Sequence, residues 1–504
     1  MSSDWHRLSA RMLAVHPVQE VVRLLPVLLG VLFLGRGGQG QIWSLVGLCL
    51  AVGTGLLRWF TTTYQITPEH VRVRRGLFSR KELSVPRDRI RTVDLTSRPL
   101  QRVLGLSRVV IGTGHGGHSG RGGHGGGTVT LDALATADAA RLREELLHKR
   151  AAYPAHPAQA GALVDVLAEL RPPWVRFAPF TLSGIAAIGV VVGSLVNLFN
   201  EIAVDRTDFG AVQSWIGRIG SAPVWVVVTG LAVLTVVLVS VLSVVAYVLA
   251  FWNFRLERGE GTLRVTRGLL TTRQTTIELR RLRGTEISEP LLLRAAGGAR
   301  CSAITTGLHG EHSSSVLLPP APRVVADRVA GDVLADPAAA SAELIGHGSR
   351  AHLRRHSRAA LVAVAVTGLF LLLWWLADWP AWTWQVALAL FPAGALLAED
   401  RYRNLGHTLI GGKLVFRQGS LVRRRQVLST EGVIGWVFHR SFFQRRAGLL
   451  SLTATTAAGR QHYTGIDIPA AEAVALADAA EPGLLEPFLI RERSVAEAVQ
   501  DLRR

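Results

Sequence analysis

Cysteine is nearly absent from this sequence, with only Cys49 and Cys301 among 504 residues. Cys49 falls in an apolar segment and Cys301 in a polar, strand-rich one, so we expect no disulfide between them. Two thiols also cannot supply the ligands of a zinc knuckle. The cysteine content therefore excludes disulfide-framework and zinc-knuckle proteins.

Catalytic motifs are missing as well. The sequence contains no phosphate-binding loop ending in Gly-Lys-Ser or Gly-Lys-Thr and no nucleophile elbow. We also expect no carboxylate pair that shares a substrate and no helical histidine pair backed by an acid. His115, His118 and His124 lie in the glycine-rich residues 112–127 and could meet a divalent metal, but a flexible loop is the simpler interpretation. We predict no enzyme activity, no cofactor and no metal site.

Acidic residues are few, and charge disappears altogether from long stretches. The chain has 56 Lys and Arg against 37 Asp and Glu, a net charge of +19, and a mean hydropathy of +0.28. Uncharged segments of the length of a membrane-crossing helix occupy residues 177–199, 224–252 and 359–377. Shorter apolar segments occupy 21–35, 42–57 and 382–398, and the first of these could instead be re-entrant or interfacial. We predict six spans that form three helical hairpins.

The distribution of basic residues predicts the orientation of these spans. The loops on one side, 36–41, 200–223 and 378–380, hold only Arg36, Arg206 and Arg218 of the 56 basic residues. Basic residues crowd the opposite ends of the segments, where they include Arg354, Arg355, Arg358, Arg401 and Arg403. The positive-inside rule therefore places both termini and the polar regions in the cytoplasm of a multi-pass cell-membrane protein.

The polar regions repeat one pattern three times. Each begins at a turn glycine, namely Gly76, Gly268 and Gly419, and has an apolar residue 14 positions later, namely Ile90, Leu282 and Val433. An Arg-x-x-Gly motif follows at offsets of 26 and 29 every time, as Arg102 and Gly105, Arg294 and Gly297, and Arg445 and Gly448. Such constant spacing indicates an internal repeat.

Each repeat has the pattern of a small antiparallel β unit closed by a helix. Alternating or β-branched stretches are separated by glycine and proline, and an apolar helical stripe follows them. Six or seven strands in a barrel-like sandwich with one C-terminal helix would satisfy these signals. We predict an N-terminal segment with hairpin 1 (1–57), repeat 1 (58–150), a linker (151–176), hairpin 2 (177–252), repeat 2 (253–337), a linker (338–358), hairpin 3 (359–398), repeat 3 (399–482) and a tail (483–504).

The chain resembles the bacterial pleckstrin-homology (PH) membrane proteins of the YdbT-like type. The resemblance rests on V-x-V-R-R-G-L-F at 71–78, V-P-x-x-R-I at 85–90 and P-L-Q-R-x-L-G-L at 99–106. It implies membrane helices combined with three α+β, PH-like domains of antiparallel strands and a C-terminal helix. It brings no known reaction or ligand with it.

These observations favour a binding or scaffolding module at the inner face of the membrane, which would recognise a protein partner or anionic lipid, in envelope stress or resistance to toxic compounds. A component of a transport or export system that uses the six helices is the alternative. We expect no nucleic-acid partner, because the arginines are not interleaved with stacking aromatics. The sequence is compatible with a homo-oligomer but does not predict one. Diffuse attraction to the anionic leaflet explains most of the charge, and a head-group site is the sharper alternative. Its candidate contacts flank the turns of repeats 1 and 3: Arg74, Arg75, Arg80, Lys81, Arg423, Arg424 and Arg425.

Overall fold

The structure is a computed structural model of the full chain. It describes residues 5–7, 53, 61, 63–67, 69–75, 81–86, 92–112, 128–139, 141–142, 165–181, 223–306 and 316–488. The described chain divides into two compact units, unit 1 (1–282 and 305–317) and unit 2 (283–304 and 318–504). The boundary between them runs through repeat 2.

Twenty strands and ten α-helices are described. The strands are β1 (His6–Arg7), β2 (Thr63–Ile66), β3 (His70–Arg75), β4 (Lys81–Pro86), β5 (Thr92–Ser97), β6 (Leu106–Gly112), β7 (Thr128–Ala135), β8 (Asp165–Glu169), β9 (Arg255–Gly259), β10 (Thr262–Arg267), β11 (Thr272–Glu278), β12 (Leu282–Pro290), β13 (Gly298–Thr305), β14 (Val316–Pro322), β15 (Gly406–Ile410), β16 (Lys413–Gln418), β17 (Val422–Ser429), β18 (Val433–His439), β19 (Leu449–Thr456) and β20 (His462–Pro469). The helices are α1 (Pro99–Val103), α2 (Val224–Phe251), α3 (Leu291–Ala295), α4 (Arg323–Leu334), α5 (Pro337–Ser341), α6 (Gly348–Ala377), α7 (Trp382–Ala387), α8 (Leu390–Arg403), α9 (Phe442–Ala447) and α10 (Ala470–Ala480).

Unit 1 contains two antiparallel sheets in its described part. The first has the order β1-β2-β3-β4, and the second has the order β7-β6-β5-β11-β10-β9-β8. Alternation along the strands of repeat 1 buries one face, so that Val71, Val73, Val93, Val109 and Ile111 form a common core. Ala139 and Leu142, on the helical stretch after β7, complete it as the predicted stripe requires.

Unit 2 also contains two antiparallel sheets in its described part, with the orders β14-β13-β12-β17-β16-β15 and β18-β19-β20. The core of repeat 3 contains Leu414 and Phe416 of β16 and Leu452 of β19, which pack with Leu476 and Ala477 of α10. The prediction of six or seven antiparallel strands followed by a C-terminal helix is therefore confirmed in repeat 3, which has the six strands β15 to β20 and α10. In repeat 2, the predicted helix is α4, whose Val329 and Val333 are buried.

In both units a sheet continues from one repeat into the next. β5 of repeat 1 pairs with β11 of repeat 2, and β12 of repeat 2 pairs with β17 of repeat 3. The sequence predicts a separate barrel-like sandwich for each repeat and does not predict these junctions. Backbone pairing between strands carries no residue signature, because any non-proline residue can supply the N–H and C=O groups.

The glycines that define the repeat occupy left-handed backbone, as their spacing suggested. Gly268 and Gly419 have φ of +106° and +102°. A Cβ at Gly268 would lie 2.1 Å from the carbonyl oxygen of Thr271, and a Cβ at Gly419 would lie 2.0 Å from that of Val422, each three residues further on. In the Arg-x-x-Gly motifs, all three glycines have φ between +67° and +74° and follow α1, α3 and α9. Gly76 lies outside the described residues.

Two described helices are long and apolar enough to cross a membrane. They are residues Val233–Phe251 of α2 and the whole of α6, whose most apolar stretches of 18 residues have mean hydropathies of 2.7 and 2.4. The predicted span 382–398 is instead broken into α7 and α8, since Pro392 cannot donate an N–H to the carbonyl of Leu388. The segments 21–35 and 182–199, and 42–57 except for residue 53, lie outside the described residues, so six spans remain a prediction.

Two further segments differ from the expectation. The predicted linker 151–176 supplies β8, which pairs with β9 at the edge of the large sheet. The start of the predicted span 177–199 belongs to a 3₁₀ helix, Pro172–Phe180, in which Trp174, Phe177 and Ala178 are buried. Two prolines at its start and Pro179 inside it remove the N–H donors that an α-helix would need there.

Candidate functional site

The most distinctive site in the described chain lies in unit 2, where hairpin 3 joins repeat 3. α6 and α8 lie side by side and border a half-open apolar cavity of about 420 Å³. Its walls are Ala359, Val362, Ala363, Leu390, Ala393, Gly394, Leu397 and Ala398. The residues are mostly small, and a Cβ at Gly394 would meet that of Ala359 at 3.6 Å. Small side chains at facing positions let the two helices approach closely.

Arginines line one end of this cavity. Arg355, Arg358 and Arg401 belong to its lining, and Arg355 and Arg401 also line a second cavity of about 330 Å³. The second cavity reaches the turn between β16 and β17, where it is lined by Gln418, Gly419, Val422 and Arg424, and Leu405 and Ile466 complete its lining. Neither lining contains an acidic residue in the described chain. We call the two cavities together the arginine groove.

A buried aspartate fixes the base of the groove. Asp467 of β20 is fully buried, and its Oδ2 lies 2.7 Å from an Nη atom of Arg355. Its Oδ1 pairs with Arg354 and accepts a hydrogen bond of 2.9 Å from Gln444. These contacts tie the start of α6 to repeat 3 and hold the Arg355 guanidinium beside the groove.

The charge of the groove is only partly balanced. Arg358 and Arg401 are exposed and form no ion pair within the described residues. The Nε atom of Arg355 is buried and has no hydrogen-bond partner there either. Several donors around an apolar cleft, without carboxylates, present a positive potential that suits an anion with an apolar part.

The structure assigns different roles to the three arginines predicted in repeat 3. Arg423 pairs with Glu289 and donates to Asn404 at 3.3 Å, so its charge is used inside the protein. Arg425 is buried and donates to the carbonyl of Ala342 at 2.7 Å, and burial lowers its pKa to about 10. Arg424 alone lines the groove, is 39% exposed and lies 3.8 Å from its nearest carboxylate.

The predicted contacts of repeat 1 are less completely described. Arg74 forms an ion pair of 3.0 Å with Glu82 and lies over the ring of Trp5, 4.1 Å from its centroid. Arg75 and Lys81 are the last residue of β3 and the first of β4, but their side chains lie outside the described part, as does all of Arg80. The histidine-bearing residues 113–127 also lie outside it.

One group of side chains could hold a divalent metal. The ligand atoms of His352, His356 and Glu399 lie within 4.8 Å of one another, with His352 Nε2 at 2.9 Å and His356 Nε2 at 3.8 Å from one Glu399 oxygen. The other oxygen of Glu399 accepts from Arg403 at 2.7 Å. The expectation of no helical histidine pair overlooked His352 and His356, which are four residues apart on α6 and therefore share a face.

A buried histidine pair anchors the segment that leads into α6. Nδ1 of His347 lies 2.9 Å from the carbonyl of Ile466, and its Nε2 lies 3.1 Å from Nδ1 of His407. Burial lowers the pKa of His347 to about 4, with a smaller contribution from His407, and burial also lowers the pKa of His407. The pair is therefore neutral at pH 7 and structural.

The repeated architecture agrees with the sequence profile of the bacterial PH domain, which matches residues 20–150, 209–335 and 351–479. The chain belongs to the bacterial PH domain family. Each of the three matches contains one repeat together with the hydrophobic segment before it. The PH domains of repeats 1, 2 and 3 are thus three copies of one family unit in a single chain.

A transmembrane relative supports the membrane assignment. The chain is 23% identical over 272 residues to YdbT, a transmembrane protein of Bacillus subtilis (strain 168). The aligned part covers 51% of this chain and 52% of the relative, so the match spans about half of each. No solved structure matches this chain.

From the sequence, the groove arginines are predicted only to be positively charged flanks of hairpin 3. Arg355, Arg358 and Arg401 lie on two segments more than 40 residues apart, so their convergence depends on the packing of α6 against α8. The spacing of three and four residues between small side chains in α6 was the available signal for a close helix contact.

Proposed function

We propose that this chain is a non-enzymatic, integral membrane protein of the cell membrane that binds an anionic phospholipid in the arginine groove. The observation that carries the proposal is the combination of an apolar cavity between α6 and α8 with arginines, and no acid, at one end. A phospholipid has the matching parts, an acyl chain for the apolar walls and a phosphate for the guanidinium groups.

The dimensions and chemistry of the groove support this ligand class. Its two cavities, about 420 and 330 Å³, are within the size range of small-molecule sites, roughly 300 to 1,000 Å³. Arginine binds phosphate through charge-assisted hydrogen bonds in a planar fork, which gives both strength and orientation. A purely diffuse attraction to the leaflet would need no apolar cavity next to the charges.

The proposal includes an orientation. The apolar run of α6 follows Arg354, Arg355 and Arg358, so the arginine end of the groove would lie at the cytoplasmic surface by the positive-inside rule. Anionic lipids in that leaflet attract nearby basic side chains by about 1 kcal/mol each. The three repeats would then stand on the cytoplasmic side as binding modules.

The test measures lipid affinity of the full-length protein in detergent micelles, with phosphatidylglycerol and phosphatidylcholine as matched probes. The variant R358Q/R401Q removes two groove charges that form no internal ion pair. We expect its affinity for phosphatidylglycerol to fall by about 2 kcal/mol, roughly 30-fold, with little change for phosphatidylcholine.

The control is R328Q/R446Q, which removes the same charge from exposed positions on α4 and α9. It is expected to bind both lipids as the unmodified protein does. Equal losses in the two double variants would mean that only net charge matters, and the groove would then have no specific role.

A further inference from the structure

The two junctions between repeats use the same strands in the same register. At the first junction, β5 of repeat 1 pairs with β11 of repeat 2. At the second junction, β12 of repeat 2 pairs with β17 of repeat 3. The residue 21 positions after the turn glycine of one repeat lies opposite the residue 4 positions after the turn glycine of the next repeat. These pairs are Ser97 with Thr272 and Glu289 with Arg423. The junction is therefore a repeated, specific interface.

Two strands that are equivalent to the junction strands, β4 and β18, lie at the ends of their sheets. β4 is the equivalent of β11 and β17, and it ends the sheet β1-β2-β3-β4. β18 is the equivalent of β5 and β12, and it begins the sheet β18-β19-β20. In the described chain, neither strand has a partner on its outer edge.

The free edge of β18 is unusually apolar. Its sequence, Val-Ile-Gly-Trp-Val-Phe-His, contains no lysine, proline or acid, which are the residues that usually protect an edge strand from pairing. Val437 is 50% exposed and Phe438 is 37% exposed. Ile287, which holds the position of Phe438 in repeat 2, is fully buried beside its junction with β17.

We propose that β18 of one copy of this chain pairs with β4 of a second copy in the register of the two internal junctions. The shared register places Val437 opposite Leu83, which is itself 40% exposed on β4. It also places Gly435 opposite Val85 and His439 opposite Lys81. A bulge at Ile434 limits the pairing to the five residues 435–439, and five pairs also form the junction of β5 with β11.

The result is a head-to-tail assembly. The two surfaces, β18 and β4, are different, so the contact is heterologous and each copy has one of each to offer. Such contacts build a closed ring or an open row of copies. At each contact, repeat 3 of one copy would join repeat 1 of the next copy as neighbouring repeats join within the chain. This inference does not depend on the lipid proposal.

Cysteine cross-linking in membranes tests the register. In a background of C49A/C301A, the variant L83C/V437C is expected to form disulfide-linked dimers and larger species, because directly opposite residues in an antiparallel pair have Cα atoms about 4.5 to 5.5 Å apart. The matched variant S84C/V437C is expected to link poorly, since neighbouring side chains point to opposite faces of a sheet. Equal linking in both variants would overturn the register, and a disulfide within one chain would overturn the second copy as the partner.

Co-purification of two differently tagged copies, both with native cysteines, tests the assembly itself. Val437→Lys is expected to abolish co-purification, Leu83→Glu to weaken it, and the double variant L83E/V437K to restore it by placing opposite charges across the contact. Val324→Lys, at an exposed site on α4, is the matched control. Co-purification that is unchanged by V437K, or that the double variant does not restore, would refute the interface.

Discussion

Replacing Asp467 by Asn should destabilise repeat 3 more than any other change of a single charge in it. Asp467 is fully buried and faces Arg354 and Arg355, whose side chains are only 11% and 12% exposed. Removal of one partner from a buried ion pair costs about 3–5 kcal/mol, because the remaining charge stays buried without compensation. This is a large part of the roughly 5–15 kcal/mol that stabilises a typical domain.

The substitution isolates the charge. Asp467 has φ of +62°, and Asn also tolerates left-handed backbone, so the backbone of β20 should keep its conformation in the variant. The amide can still accept a hydrogen bond from Gln444, which donates to Oδ1 at 2.9 Å. The additional change Arg354→Gln should recover part of the loss, because it removes one of the two uncompensated guanidinium groups.

Pulse proteolysis in urea, with a C-terminal tag to follow repeat 3, measures the free energy of unfolding. Glu431→Gln is the matched control, since it removes one negative charge from an exposed position in the same repeat and should change stability by no more than about 0.5 kcal/mol. A loss for D467N no larger than that of the control would show that the buried network does not hold α6 to repeat 3.

Three further outcomes are expected. The pKa of His347 is about 4 in the folded protein and 6.5 in a free histidine, so the unfolded state takes up the proton first as the pH falls. The free energy of unfolding of unit 2 should therefore be highest above pH 6.5 and fall by about 3 kcal/mol as the pH drops to 4. Urea titrations at several pH values measure this, and H347Q should show a weaker dependence on pH. Gly268→Val and Gly419→Val should each destabilise their own repeat by about 1–3 kcal/mol or more in limited proteolysis, because both positions have positive φ, whereas Gly346→Ala, at an open position, should not. Burial raises the pKa of the Cys301 thiol to about 12, so this residue should react with a thiol reagent only after unfolding, and rapid labelling of the native protein would contradict its position in the core.

The sequence predicted the features of the fold that depend on local conformation. Turn glycines such as Gly268 and Gly419 were found by spacing alone, because no other residue adopts their backbone without strain. The helices after the strands were found by their apolar stripes. The pairing of strands between repeats could not be predicted in this way, because it depends on which sheet edges meet.

The candidate site also combines features that the sequence predicts with features that only the structure shows. Charge distribution located the arginines near hairpin 3, but only the structure distinguishes Arg424, which lines the groove, from Arg425, which donates to the carbonyl of Ala342. Neighbouring residues on a strand point to opposite faces, so a run of three arginines necessarily divides between different surroundings. Which of them faces solvent depends on the sheet and helices around the strand.

Photo-crosslinking can show whether an anionic phospholipid occupies the arginine groove. Phosphatidylglycerol with a diazirine on one acyl chain would be incorporated into membranes that contain the full-length protein, and labelled peptides would be mapped by mass spectrometry. If the lipid binds in the groove, labelling will be concentrated in residues 359–363 and 390–398, and it will be lost in R358Q/R401Q but not in R328Q/R446Q. Labelling spread evenly over the lipid-facing surface of α6, and unchanged in R358Q/R401Q, would show that no lipid binds specifically in the groove.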